Sequence, residues 1–522
     1  MLKRIVVHAA VISLALGLVA CSSGAGDEAG KPTSSSSASA GVLHLATPAP
    51  FNILDPHRQS AIGDSMFTTL IFDRLVMVDA KDELQPMLAE SWEYAADGSY
   101  LEFSLRTDVT FHDGTPFNAE AVKVNIERAK TVEGSTVAQY LTSVSAVEVV
   151  DDYTVRMLLE EGKGAEVPAA LTTSAGMMIS PTAIADSSID LASATGPVGS
   201  GPYVVSAFTP SEKMTYEAAP AYWDPAAGNL DGIQVEFAAN ASTRLNQVRT
   251  GSSNFAAVSS ANEVLEAMAL ADKGEIGLET VKYRSVMGLM LNSAMGDMQQ
   301  LEARQAVAYA IDPQMINDLF SGTCEAHRQI YPDANWSAIQ DWEYPYEYNP
   351  EKAKKMVDEL GGVSLSLTFP VGSNTEAPAN VLQMALSEVG IDAQLNPVPV
   401  TESNTRYMAG DFESLVTASF APQPDPAATV DLYLTGGFQL ARTPAEKERI
   451  YEIAGDGLNP TMTSDERAAV YQEVWETALD EAWFVPVCNI TAGIVHTADV
   501  GNVNNLPWAS QGLQDLRYVT LD

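Results

Sequence analysis

The chain has 522 residues, a length that suits about three domains. Of these, 46% are hydrophobic, enough for substantial cores. Its 29 basic against 68 acidic side chains leave a net charge of −39, which argues against nucleic acid and against direct adhesion to anionic lipid heads. That acidity names no ligand; a solvated, self-repelling surface accounts for it.

The chain opens with Lys3-Arg4, an apolar run from Ile5 to Val19 and small residues before Cys21. A basic start, a short apolar stretch and a small-residue ending form a secretory signal. About 15 apolar residues are too few to span a bilayer comfortably. Leu18-Val19-Ala20-Cys21 resembles the lipobox of bacterial lipoproteins, which implies that Cys21 becomes the acylated first residue of the mature protein. Ser22 to Gly41 is rich in Ser, Gly and Ala. Such a segment cannot bury enough surface to offset its ordering entropy and reads as a disordered tether, with a span on the order of 25 Å.

Val42 to Thr47 reads as a strand, and Pro48 to Pro56 as a proline-rich loop. Phe51 in that loop is either a plug over the core or part of a binding wall. Leu84 to Ala89 reads as a short helical turn. Asp97-Gly98 is a turn dipeptide, and Leu101, Phe103 and Leu105 alternate with polar residues as in a half-buried strand. Asn118 stands at a helix N-cap position, with Val122, Ile126 and Ala129 on one face beyond it. Val144–Val150 and Tyr153–Leu159 flank Asp151-Asp152 as another hairpin.

The glycine-rich run Gly196 to Tyr203 lacks the lysine and hydroxyl of a phosphate loop, so it reads as a bend. Strands at Tyr203–Phe208, Met214–Ala218 and Ile233–Phe237 follow. From about Met287 the pattern shifts to longer helices, including Leu301–Ala310 and one capped by Asn349-Pro350 and closed by Gly361-Gly362. Alternation at Leu365, Leu367 and Phe369, an amphipathic Pro378–Val389 and a strand Ile391–Leu395 make a βαβ crossover. Thr443 with Glu446 and Thr463 with Glu466 are capping boxes. The chain returns through Phe484 to Ile494. Apart from Cys21, only Cys324 and Cys488 remain; a disulfide and two buried free thiols both fit them.

The segments PMLAESW, LRTDVTFHDGTPFNAEAV, GSGPY, AYW, ARQAVAYAID and YNPEKAKKMVDELG occur in this order. They resemble the successive signatures of the extracytoplasmic solute-binding proteins of ABC importers, in the large peptide/nickel branch known as family 5, from about Leu54 to about Val500. The resemblance implies an α/β, two-lobed periplasmic-binding-protein-like (type II, three-domain) fold with mixed sheets and a hinge. Its expected parts are a signal peptide over 1–20, a lipidated, Ser-rich tether over 21–41, and a first lobe from 42–61, 196–285 and 490–522. Residues 62–195 would form a small α/β extension of that lobe and 286–489 the second lobe. The implied role is a monomeric, membrane-anchored component that captures a peptide or peptide-like solute in the cleft and delivers it to an ABC permease. Its implied location is outside the cytoplasm, in a periplasm or on the outer face of the cytoplasmic membrane, without a cofactor. A non-peptide solute such as an oligosaccharide or metal chelate, a ligand-presenting sensor and, more remotely, a catalytic lipoprotein are the alternatives.

No HExxH, GxSxG, Walker lysine or CxxC occurs, and His44, His57, His112, His327 and His496 stand at no metal-ligand spacing. Closure on a guest must come from contacts to both lobes, since moving a 1:99 equilibrium to 99:1 takes about 5.5 kcal/mol of differential affinity. Peptide-binding relatives clamp the ligand's α-amino group with an aspartate four residues before the proline of D-x-x-[DE]-P. Here Asp425 and Pro426 fit that motif, but the clamp position is Pro422, which points to a ligand without an obligatory cationic end. Phe51, Tyr283, Met287, Phe420, Gln423 and Asp425 are the expected ligand contacts, with Arg328 and Arg442 as candidate partners for a ligand carboxylate. Asp425 also fits a helix cap, and Met287 plain core.

Overall fold

The computed structural model describes residues 41–522, except 60, 61, 82, 197, 259, 260, 334, 511 and 512. The expected signal, Cys21 and tether therefore lie outside the described residues. Among the described residues, no helix is long and apolar enough to cross a membrane.

A nine-stranded sheet organises the chain. Numbered in chain order, its strands are β1 (Val42–Thr47), β2 (Tyr203–Thr209), β3 (Lys213–Ala218), β4 (Gly232–Phe237), β5 (Phe255–Val258), β6 (Gly277–Leu291), β7 (Cys324–Ala326), β8 (Ser414–Phe420) and β9 (Phe484–His496). They lie in the order β8-β6-β9-β5-β1-β4-β3-β2, with β7 added on β9. β1 runs parallel to β4 and β5, so the chain must cross over between them.

The two long strands β6 and β9 pair antiparallel from Gly277↔His496 to Met290↔Phe484. At one end β9 joins β5 of the first lobe; at the other, β6 joins β8 of the second. Their register shifts between Lys282 and Val286, and again between Met287 and Gly288. Such irregularities bend a strand, here where two separately cored lobes meet. One apolar cluster runs from Val286 to Ile490 and includes Trp475 and Trp483. A second gathers Leu43, Phe67, Tyr203 and Val235. A third fills the module around Phe103, Val122, Ile126 and Val155.

Local readings carry over where side chains decide geometry. The Asn118 side chain accepts from Ala121 N–H, and Val122, Ile126 and Ala129 are fully buried. Thr443 and Thr463 form reciprocal capping boxes with Glu446 and Glu466. The strand pair Val363–Pro370 and Ile391–Val398 is parallel, as a crossover through the helix Glu376–Glu388 requires. Gly199 cannot carry a side chain, because a Cβ there would lie 2.0 Å from Ile71 O.

One reading needs correcting, and one open alternative is decided. Leu84–Pro86 is a strand, not a helical turn, and pairs with Val76–Val78. The Asp79 carboxylate accepts from the N–H groups of Lys81 and Glu83, closing a tight turn that delivers the next residues in extended form. Between the alternatives for the cysteines, Cys324 and Cys488 are joined as a disulfide, with Cα atoms 5.4 Å apart.

His57 joins the loop after β1 to the small module. Its Nε2–H donates to Met177 O at 3.2 Å, while Nδ1 accepts from Arg128 Nη1 at 2.8 Å. Arg128 also holds Asp55 through both guanidinium nitrogens. Burial first, and then the Arg128 charge, push His57 down to about 4. The unfolded chain binds this proton near pH 6.5 and the folded chain only near pH 4, so acidification across that window favours unfolding. The urea midpoint is expected to fall between pH 6.5 and 4; in His57→Gln, the share of this fall due to His57 disappears.

Candidate functional site

The strand β8 ends at Phe420, whose ring stacks on Tyr433 at 3.9 Å and on Phe484 at 4.5 Å. From that fixed point the chain continues as Ala421-Pro422-Gln423-Pro424-Asp425-Pro426, where three prolines restrict φ. Ala421 N–H donates to the Tyr433 hydroxyl, and Gln423 N–H donates to Thr429 Oγ1. Tyr331 Oη donates back to Gln423 O at 3.0 Å. The path of this loop is thus set by its prolines and by hydrogen bonds to Tyr331, Thr429 and Tyr433.

Asp425 caps the short helix Pro426–Thr429 through Ala427 N–H. Both of its carboxylate oxygens also accept from Arg467 Nη2, at 3.0 and 2.9 Å. Arg467 in turn donates through Nε to Gly457 O and lies 5.2 Å from the Trp336 ring centre.

Two cavities meet at this loop. One, of about 410 Å³, is lined by Pro422, Gln423, Asp425, Tyr331, Trp336 and Arg467, with Glu83, Leu84 and Ala169 opposite. The other, of about 310 Å³, is lined by Gln423, Asp425, Asp431 and Tyr451, with Tyr140, Ser143, Lys163 and Glu166 opposite. Both volumes suit a small solute. The walls touch directly: Ala165 N–H donates to Leu458 O at 2.9 Å. Tyr94 Oη steadies that wall by donating to Gly164 O.

The titratable groups are uneven. Four carboxylates, Glu83, Glu166, Asp425 and Asp431, face two cations, Lys163 and Arg467. Glu166 is only 9% exposed, and its Oε2 has no hydrogen-bond partner among the described residues. Burial raises the Glu166 carboxyl above its ordinary range, against a hydrogen bond from Ser143. Among the described residues, no three His, Cys, Asp or Glu side chains converge as a metal-ligating group.

Of the residues expected at the ligand, Gln423 and Asp425 line both cavities. The others are placed elsewhere. Phe51 is core, edge-on to Phe67 at 5.5 Å, so of its two readings the plug over the core describes it. Met287 is buried opposite Cys488, and Phe420 is buried in its aromatic stack. Tyr283 lies on β6, but its side chain is outside what the structure describes. Arg328 donates to Pro486 O and Ile311 O under the Tyr344 ring. Arg442 donates to Tyr407 O and lies over the Tyr407 ring. Both arginines thus serve backbone carbonyls and aromatic faces, and neither lines the two cavities. The sequence reading passed over Trp336, Arg467, Lys163 and Glu166. Only Trp336, an aromatic in a polar loop, carried a local signal.

The description "Bacterial extracellular solute-binding proteins, family 5 Middle" matches residues 83–439. The glutathione-binding protein GsiB of Shigella flexneri serotype 5b is 26% identical over 443 residues, covering 78% of this chain and 84% of its own. Two solved structures share the fold. NikA from Brucella suis, in complex with Fe(III)-EDTA, aligns at TM-score 0.80 with 23% identity over 92% of this chain and 99% of its own. DppA from Helicobacter pylori, an ABC transporter-associated periplasmic binding protein in complex with the peptide STSA, aligns at 0.74 with 23% identity over 92% and 98%.

Proposed function

Because this chain belongs to the bacterial extracellular solute-binding proteins of family 5, we propose that it captures a small peptide or peptide-like solute between its lobes and delivers it to an ABC permease. Family membership puts it outside the cytoplasm. The Cys21 lipid anchor, the monomeric state and the absence of turnover belong to the same proposal.

The observation that carries it is the pair of cavities on either side of the Pro422–Asp425 loop, closed over by the wall around Ala165. A guest there touches both walls at once, which is the condition for ligand-driven closure. A glutathione-binding relative and a fold shared with a peptide complex favour a peptide-like guest over an oligosaccharide.

Mass spectrometry of small molecules released from the purified protein tests this: an intact peptide-like compound is expected. Recovery of a sugar or of a processed product instead would overturn it. Trp336 is 38% exposed and lines the larger cavity, as an apolar face for the guest. Trp336→Ala is expected to weaken binding of the recovered solute about tenfold by calorimetry, the effect of losing roughly 1.4 kcal/mol of contact.

A further inference from the structure

We propose that Glu166 is a cation-recognition point for the bound solute, receiving a primary ammonium group on the wall opposite the Pro422–Asp425 loop. The proposal rests on the solute-binding reading above and specifies the end of the guest that this wall holds.

The acids at the site are not equivalent. Asp425 is committed, with both oxygens on Arg467 and one also on the Ala427 N–H. Asp431 is exposed, so water can serve its carboxylate. Glu166 alone among these combines near-complete burial with a carboxylate oxygen that finds no partner among the described residues, and it lines the smaller cavity. An acceptor left so is costly; Oε2 itself is closed to water, so the Glu166 side chain turns toward the cavity it lines to meet a donor arriving with the ligand. A carboxylate prefers a charged donor, whose hydrogen bonds are shorter and stronger than neutral ones.

The surroundings select the same chemistry. Four carboxylates against two cations leave the combined lining net negative, which favours a positive guest. The primary ammonium is the compact cation a peptide-like guest carries, with three donors for such an acceptor. An ammonium at Glu166, with the rest of the molecule against Gln423 on the facing loop, contacts both walls of the smaller cavity and rewards closure. Pro422 on the facing loop then removes a clamp from one wall while the other wall supplies it. This reverses the expectation, drawn from Pro422, that no cationic end is needed.

The test uses trialanine and glutathione, each with a free and with an acetylated amine, titrated into wild-type protein and into Glu166→Gln and Glu166→Asp. At least one free-amine peptide is expected to bind wild type, with acetylation weakening it by about 10- to 100-fold, the scale of a charge-assisted hydrogen bond. Glu166→Gln is expected to lose a similar factor for the free amine and almost nothing for the acetylated form, while Glu166→Asp keeps part of the preference. Equal binding of free and acetylated peptides by wild type overturns the proposal without help from any variant, and leaves the peptide-binding reading standing. So does a Glu166→Gln protein that still prefers the free amine. If neither peptide binds in either form, the peptide reading falls and the proposal falls with it.

Discussion

Arg517→Ala is expected to lower the stability of the first unfolding transition by about 3–5 kcal/mol, the cost of leaving buried charges without their partner. Arg517 is fully buried. Its Nη1 donates to Asp73 at 2.6 Å and to the Tyr222 hydroxyl at 2.9 Å, and its Nε donates to Asp515 at 3.0 Å. Nη2 donates to Thr69 O. Asp515 in turn holds Arg74 at 2.9 Å, and all four charged side chains are at most 1% exposed. Removing one cation leaves Asp73 and Asp515 facing a single remaining arginine in a medium that solvates them poorly. The same group fastens the C-terminal segment to residues 69–74, so its loss also frees chain. Urea unfolding followed by tryptophan fluorescence measures the effect. Arg406→Ala serves as the contrast: Arg406 and Asp411 are 44% and 46% exposed, and such pairs contribute at most about 1 kcal/mol. Equal midpoints for the two variants would show that the buried group contributes no more than a surface pair.

That group explains why the family was legible from sequence. The GSGPY and AYW segments are the donors around Asp73: Ser200 Oγ at 3.0 Å, Tyr222 Oη at 2.8 Å and Trp223 Nε1 at 2.9 Å. The HDGTPFN segment supplies His112, whose ring nitrogen meets Gly201 O at 2.7 Å, and Asn118, which caps a helix. In ARQAVAYAID, Arg304 ties its helix to Glu481 O and Met298 O. These segments are read easily because buried polar groups need particular partners at particular places. They describe how the lobes are built and say nothing of the guest.

The site was less legible for the opposite reason. Asp425 and Gln423, which line the candidate cavities, stand in a local motif, but the partner that occupies Asp425 is Arg467, 42 positions further along the chain. Nothing local marks Arg467, which follows a capping box on a helix and reads as solvated surface. Glu166 stands in GKGAEVPAA, a stretch with no periodicity and no motif. What sets it apart is near-complete burial, a property of tertiary structure. Phe51, Met287 and Phe420 show the other side of this: as large apolar side chains they are buried in the cores.

Replacing both Cys324 and Cys488 by serine is expected to cost about 2–5 kcal/mol, toward the upper part of the range for native disulfides. The bridge closes a separation of 164 residues. In the chain-entropy account, a loop of that size restrains the unfolded ensemble by about 5 kcal/mol. Both sulfurs are fully buried, and β7 is only three residues long, pairing Cys324 with Ile490 and Ala326 with Cys488. So short a strand has few ladder bonds of its own and depends on the bridge to stay on β9. The extracytoplasmic location that family membership gives is one where a disulfide persists. Neither cysteine lines the two cavities at the Pro422–Asp425 loop, so affinity for the solute recovered from the protein should change less than about threefold, the size of a remote perturbation under 1 kcal/mol. Stability and affinity thus separate two roles for the bridge. A lower urea midpoint with unchanged affinity fits a staple of the second lobe. Cys488 also stands opposite Met287, where β6 and β9 shift register between the lobes. A tenfold loss of affinity with little change in the midpoint would instead make the bridge a brace of that junction, and the assignment to lobe stability would be wrong.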